Sequence, residues 1–281
     1  MRFVMCLVIL VSVTCCAQSS PFAASVVNSE AWAGDGLYND PAASVVGKPS
    51  TWIYDPGYDD PVYGYPASTT ASSVVNSPFN TDPAGNKLIT ALGDQDELVV
   101  AFDHFVMDDS SNLYGMDFTV FAAYAFTGDG WITESTDMDT YSIADGSLST
   151  WDNFEMTVSI SPDLVNWYTY ATTINNDNLM PAQAFAWNNN QWGAEQDWTK
   201  PLDPSLTHAD FAGATVAEAL ELYAGSAGGM SFDLAGSGFS AIKYIKLTGP
   251  GKIDGFADVA AVPEPCSILL IGLGAILMRR K

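Results

Sequence analysis

From Phe154 to Ile160 apolar and polar side chains alternate without a break: Phe154, Met156, Val158 and Ile160 against Glu155, Thr157 and Ser159. Side chains of an extended chain project to opposite faces with a period of two. This stretch therefore predicts an antiparallel strand with one face buried and the other wet. The residues that follow, Ser161 to Asn166, include Pro162 and Asp163 and predict a turn into the next strand. Runs at 97–102, 117–122, 167–174, 241–249 and 254–262 predict further strands. In 241–249, Ile242, Tyr244, Ile245 and Leu247 fall on both faces, which predicts cover on both sides. One stretch has helical spacing: in 215–225, Val216, Leu220 and Tyr223 lie three and four apart, with Gly225 as the expected end. It reads as a connector. The expected fold is all-β, a jelly-roll-like antiparallel β-sandwich over residues 18–262 with a short connector helix. "SVVN" at 25–28 and 73–76 and "SVVG" at 44–47 recur at unequal gaps, so no repeat array is expected. Residues 53–86, dense in Tyr, Pro, Gly and Asp, read as a long loop that touches a ligand, or else as a linker.

The two ends have a different character. Arg2 precedes the apolar run "FVMCLVILVSV" and then "TCCAQSS", the order of a secretory signal helix with cleavage after Ala17 or, alternatively, Ala24. Acylation of Cys15 or Cys16 is a weaker alternative, because Thr14 and Cys15 poorly fit the residue before a modified cysteine. At the other end, Val262-Pro263-Glu264-Pro265 leads into the apolar stretch Cys266–Met278 and stops at Arg279, Arg280 and Lys281. As a short hydrophobic helix this stretch would span roughly 20 Å, against a bilayer core of about 30 Å. The prolines bar extension backwards and the cations favour the cytoplasmic side. Temporary membrane residence and a soluble core helix are both compatible with that length.

All four cysteines, Cys6, Cys15, Cys16 and Cys266, lie in these end segments. The 18–262 body has none, which excludes disulfides, thiolate metal sites and thiol catalysis there. Removing Arg2, Arg279, Arg280, Lys281 and Glu264 leaves 6 basic against 32 acidic residues, a net charge of −26 for the body. Such a surface repels phosphate backbones and excludes nucleic-acid binding.

Two resemblances follow from these residues. Val262-Pro263-Glu264-Pro265, a short apolar helix and the basic Arg279-Arg280-Lys281 resemble the PEP-CTERM sorting signal of exported bacterial proteins. The resemblance implies recognition and processing by an exosortase-type membrane enzyme. It divides the chain into a signal peptide at 1–17, an ectodomain at 18–262 and a sorting signal at 263–281. The segments 34–50, 88–106, 114–126, 156–167, 225–235 and 242–262, in that order, resemble jelly-roll cell-surface proteins similar in outline to galactose-binding-like (discoidin-type) modules. Related chains often carry Glu-Asn where this one has Ala122-Ala123, so a site built on those polar residues is not expected here. Together the resemblances imply a surface or extracellular-matrix location.

Candidate chemistry is sparse. The histidines, His104 beside Asp103 and His208 before Asp210, have no G-x-S-x-G nucleophile motif to serve. Carboxylates recur near each other at Asp94, Asp96 and Glu97, at Asp137 and Asp139, and at Asp254 and Asp258. In so acidic a chain, sequence proximity does not assign a glycosidase pair. The EF-hand pattern is absent. The discoidin-type resemblance implies calcium as the cofactor to expect, with Asp40, Asp103 and Asp254 as candidate ligands. The stretch "FAWNNNQWGAEQDW" (185–198) interleaves Trp187, Trp192 and Trp198 with amides, among them Asn188 and Asn190. Indoles pack on the C–H face of a sugar while amides meet its hydroxyl rim, so these are candidate glycan contacts. The same tryptophans could instead anchor a loop on the core. The expected function is non-catalytic association with an exopolysaccharide. A purely structural surface-layer component and a carbohydrate-active enzyme are the alternatives.

Overall fold

The computed structural model describes residues 19–29, 38, 41–54, 69–78, 88–132, 136–150 and 153–259. Their strands are, in chain order, β1 (Ser25–Ser29), β2 (Trp52–Tyr54), β3 (Thr69–Ala71), β4 (Thr90–Leu92), β5 (Glu97–Met107), β6 (Phe118–Ala122), β7 (Phe126–Gly128) and β8 (Ile143–Leu148). They continue with β9 (Glu155–Ser161), β10 (Tyr168–Thr169), β11 (Ile174–Asn175), β12 (Phe185–Asn188), β13 (Gln191–Glu195), β14 (Met230–Phe232), β15 (Ala241–Thr248) and β16 (Gly251–Asp258). The α-helices among the described residues are α1 (Pro41–Ser44) and α2 (Val216–Tyr223), with short 3-10 turns at Leu113–Gly115 and His208–Asp210. The protein is an all-β fold in which every strand pair described is antiparallel.

A first sheet has the order β1-β5-β15-β9-β10, with β11 also on β9; a second has the order β14-β6-β16-β4. Three two-stranded ribbons, β2–β3, β7–β8 and β12–β13, complete the set. The chain crosses repeatedly between the large sheets, from β4 to β5, β5 to β6, β14 to β15 and β15 to β16. Both sheets turn apolar side chains into one buried cluster: Leu98, Val100, Met156, Val158, Ile160, Ile245 and Leu247 from the first, Phe118, Val120, Phe232, Ile253 and Phe256 from the second. Burying apolar area at about 25 cal/mol per Å² is the main force holding such sheets together. The crossing from β15 to β16 turns at Gly249, where φ is +103° and a Cβ would lie 2.5 Å from the Glu155 carbonyl oxygen. Only glycine tolerates both conditions.

The inward half of the alternation at 154–160 is realised, with Phe154, Met156, Val158 and Ile160 buried. The outer face is only partly wet: Glu155 is exposed, Thr157 is half-buried and Ser159 is buried, its hydroxyl 2.8 Å from that of Thr169 on β10. In the turn after it, Asp163 accepts from the amides of Val165 at 2.9 Å and Asn166 at 2.8 Å. The 167–174 stretch is two short strands instead of one, since the exposed Ala171 and Thr172 bend away between β10 and β11. Tyr170, just before the bend, turns inward and donates to the Asp233 carbonyl at 2.8 Å. Residues 241–249 are not covered on both sides. The register against β5 shifts between Ile242, opposite Val106, and Tyr244, opposite Ala101. β5 therefore carries the extra residues of a bulge over 102–105, and this lets Ile242 and Ile245, three apart, both point inward.

Helix α2 starts at a capping box, with Glu218 N donating to the Thr215 hydroxyl at 3.2 Å and Thr215 N to the Glu218 carboxylate at 2.8 Å. It buries Val216, Leu220 and Tyr223, as their spacing predicts, but it ends at Ala224, which takes the left-handed conformation (φ 50°) ahead of Gly225. The 53–86 stretch includes strand structure, because Ile53 and Tyr54 pair with Thr70 and Thr69. Its residues 55–68 and 79–86 lie outside the described residues, as do the end segments 1–18 and 260–281 with the expected signal peptide, sorting motif and basic stop.

Candidate functional site

The Trp/Asn stretch folds as a hairpin. β12 and β13 pair through Trp187 opposite Trp192 and Asn188 opposite Gln191. The turn residues Asn189 and Asn190 both take positive φ, 51° and 58°. Asparagine tolerates the left-handed region because its side chain bonds locally, and two such residues in succession give the twist that suits a two-residue hairpin. The two indoles meet edge to face with centroids 5.1 Å apart. Each is half-buried, resting on the core from one side. Trp187 Nε1 donates to Asp139 Oδ1 at 3.1 Å, which fixes its ring against the β7–β8 connection. At the tip Asn188, Asn189, Asn190 and Gln191 are exposed.

Trp198 does not belong to this surface. It is 4% exposed, stands edge-on to Phe121 with centroids 5.0 Å apart, and donates to Glu195 Oε1 at 2.7 Å. Glu195 also pairs with Lys48 at 2.7 Å. A ring so enclosed has no free face for a sugar, and its role is to anchor the end of the hairpin. Sequence reasoning passed over Trp131, which is 87% exposed in the β7–β8 connection, two residues after Asp129. Its signal was a large aromatic directly after an Asp-Gly turn.

Of the three carboxylates expected as metal ligands, Asp40 lies outside the described residues, and the other two have separate partners. Asp103, on the β5 bulge, contacts His104 Nδ1 at 2.7 Å, while His104 Nε2 contacts Asp258 at 2.8 Å. The imidazole thus ties the bulge of the first sheet to the end of β16 in the second. Asp254 is 1% exposed and accepts the Ser50 amide on both oxygens, at 3.0 and 3.1 Å. Burial pushes its pKa up to about 7, only partly offset by the Ser50 hydrogen bonds.

A different group, Asp108, Asp117 and Asp233, brings one oxygen from each carboxylate within 4.8 Å of the others. The span suits a hard oxygen-seeking cation such as calcium. Asp117 is nevertheless spent on the protein itself. Its Oδ1 accepts from Asp109 N and Asn112 Nδ2, both at 3.0 Å, and its Oδ2 accepts from Leu234 N at 2.8 Å. Burial raises the Asp117 pKa, and these donors oppose the rise. Asp233 lies more than a hundred residues beyond the other two, so spacing could not reveal the group.

Several of the remaining titratable candidates serve local structure. His208 Nε2 contacts the Leu179 carbonyl at 2.8 Å and the ring stands edge-on to Phe126. Asp96 accepts Gly93 N at 2.7 Å, and Asp137 accepts Asp139 N at 3.0 Å, so both close their own turns. Among the described residues no helix is long and apolar enough to cross a membrane. Comparison of the chain with protein families, curated proteins and solved structures finds no match.

Proposed function

We propose that the chain is an exported surface or extracellular-matrix protein that associates non-catalytically with polysaccharide through the β12–β13 hairpin. The observation that carries this reading is the Trp187–Trp192 pair, two half-exposed indoles below a tip of exposed amides. Indole faces suit sugar C–H surfaces, and amides both donate to and accept from hydroxyls. Repeated crossings between two sheets around one core support a jelly-roll-like sandwich as the scaffold. The signal-like start, Val262-Pro263-Glu264-Pro265 and Arg279-Arg280-Lys281 support export, transient membrane insertion and processing by an exosortase-type partner.

A glycan array probed with the full chain tests the binding. Saturable binding is expected, weakened about tenfold by Trp187→Ala or Trp192→Ala, which is about 1.4 kcal/mol. Self-assembly with no saturable binding would instead mark a structural surface-layer component. Polysaccharide turnover abolished by carboxylate replacement would mark an enzyme. Mass spectrometry of the native protein tests processing: a mature C-terminus near Pro263–Pro265 is expected, whereas an intact Lys281 end on a cytoplasmic protein refutes export.

A further inference from the structure

Two depressions meet at the turn Asn175–Asn178, shortly before the Trp hairpin in sequence but lined by none of its residues. One is an open groove of about 880 Å³, bounded by Asp94, Gln95, Asn153, Glu155, Asn176 and Gly249 among others. The other is a pit of about 240 Å³ with Met180, Leu202, Leu206 and Met230 in its lining and Thr172 at its exposed rim. Asp177 lines both. The groove falls within the size range of ligand sites, roughly 300–1,000 Å³. It is assembled from the ends of several strands: the β4–β5 and β15–β16 connections, the approach to β9 and the turn after β11.

The wall between groove and pit is held rigid by its own bonds. Asn175 Oδ1 accepts Asp177 N at 2.9 Å, Asn178 Oδ1 accepts Asn175 N at 3.0 Å, and Asn178 Nδ2 donates to the Thr173 carbonyl at 2.7 Å. Asn176 Oδ1 accepts Phe154 N at 2.9 Å, which clamps the turn to the start of β9. These bonds leave groups unspent. Among the described residues the carboxylates of Asp94 and Asp177 and the amide nitrogen of Asn176 have no hydrogen-bond partner, and Glu155 uses only Oε1, accepting from Thr173 Oγ1 at 3.0 Å. No Lys, Arg or His lines either depression.

We propose that groove and pit together bind a neutral polysaccharide chain, with one sugar ring seated in the pit. The Met and Leu side chains meet the apolar face of that ring, and Asp177 accepts from its hydroxyls. The rest of the chain runs along the groove, donating to Asp94 and Glu155 and accepting from the Asn176 amide. Uronate-bearing or sulfated chains are repelled by the same carboxylates, since no cation compensates them. The inference rests on the glycan reading above but assigns a second surface and the charge class of its ligand. A preset wall adds affinity by removing the ordering cost of binding.

The test uses the full chain and calorimetry at physiological salt, with cello-, malto-, laminari- and N-acetylchito-hexaose as neutral probes and oligogalacturonate as the anionic one. At least one neutral hexaose is expected to bind and the oligogalacturonate to give no signal. Asp177→Ala is expected to weaken binding by about tenfold or more, the scale of a lost charge-assisted hydrogen bond. Thr172→Tyr, a change at an exposed rim position, is expected to block the pit without disturbing the fold. Glu221→Gln, on the exposed side of α2, is expected to leave binding unchanged, which separates a local effect from the general acidity of the chain. Thermal midpoints accompany each measurement, and if Asp177→Ala does not fold, Thr172→Tyr decides. Equal binding of oligogalacturonate, or neutral binding untouched by Thr172→Tyr, overturns the proposal. If binding is lost in the Trp187 and Trp192 variants but survives the groove variants, the glycan reading stands and this site falls. If no hexaose binds and the glycan array is also blank, both fall.

Discussion

Asp254 sets up a measurable conflict between fold and charge. Its carboxylate is enclosed beneath the Ser50 segment, with the Ser50 amide as the donor to both of its oxygens. Burial raises its pKa from 3.8 to about 7. An acid whose native pKa lies above its unfolded value binds its proton more tightly when folded. Stability from this group is therefore fully present below about pH 4 and is lost as the pH rises to about 7, where the loss levels off. At about 1.4 kcal/mol per pKa unit, the rise of roughly three units corresponds to about 4 kcal/mol. Asp254→Asn removes the charge while keeping one oxygen to accept Ser50 N. It also introduces an N–H donor without an acceptor, at a cost of about 1–3 kcal/mol. The net expectation at pH 8 is a variant more stable than the parent by about 1–3 kcal/mol, and at pH 4.5 a variant equal or less stable. Urea unfolding of both proteins at half-unit steps from pH 4 to 8 measures the difference, and most other titrations cancel in it. The variant-minus-parent stability should climb by about 1.4 kcal/mol per pH unit across the middle of this range. A flat difference would refute the reasoning, since it would mean that the carboxylate is hydrated or cation-paired.

Three further outcomes follow from local geometry. Gly249→Ala places a Cβ against the Glu155 carbonyl at φ +103° and should lower stability by about 2–4 kcal/mol, read by urea unfolding. Trp198→Ala empties a packed site beside Phe121 and should destabilise by about 3–5 kcal/mol, whereas Trp187→Ala should alter glycan binding more than stability, a contrast read by paired melting and array measurements. Asp163, whose pKa is depressed to about 2 by the Asn166 and Val165 amides, should hold its turn above about pH 4 and release it as the pH falls through about 2. Lower amide protection factors at Val165 and Asn166 on acidification, matched at neutral pH by Asp163→Ala, would report the loss, and protection unchanged at pH 2 would count against it.

Much of the scaffold was legible because its causes are local. The alternation at Phe154–Ile160 depends on which side of an extended chain each residue faces, and Pro162 with Asp163 carries the turn in its own chemistry. The three-and-four spacing of Val216, Leu220 and Tyr223 that marks α2 lies within eight consecutive residues. The hairpin at 185–195 was less legible, since Asn189-Asn190 marks its turn less plainly than an Asn-Gly pair and its tryptophans do not alternate with uniformly polar neighbours. The broken strand at 167–174 escaped because the inward turn of Tyr170 depends on Asp233, 63 residues away.

The candidate sites belong to the other category. Residue type marked Trp187, Trp192 and Trp198 alike, and only packing separated the half-exposed pair from the buried anchor. Composition announced an acidic chain, but it did not distinguish the enclosed Asp254 from the solvated Asp163. Desolvation raises one pKa and nearby amides lower the other, and both effects depend on what surrounds the carboxylate. For Asp254 that surrounding comes from Ser50, 204 residues earlier in the chain. Periodicity and turn chemistry act over a few residues and can be read in order, whereas burial, charge and the walls of a groove exist only once distant segments have been brought into contact.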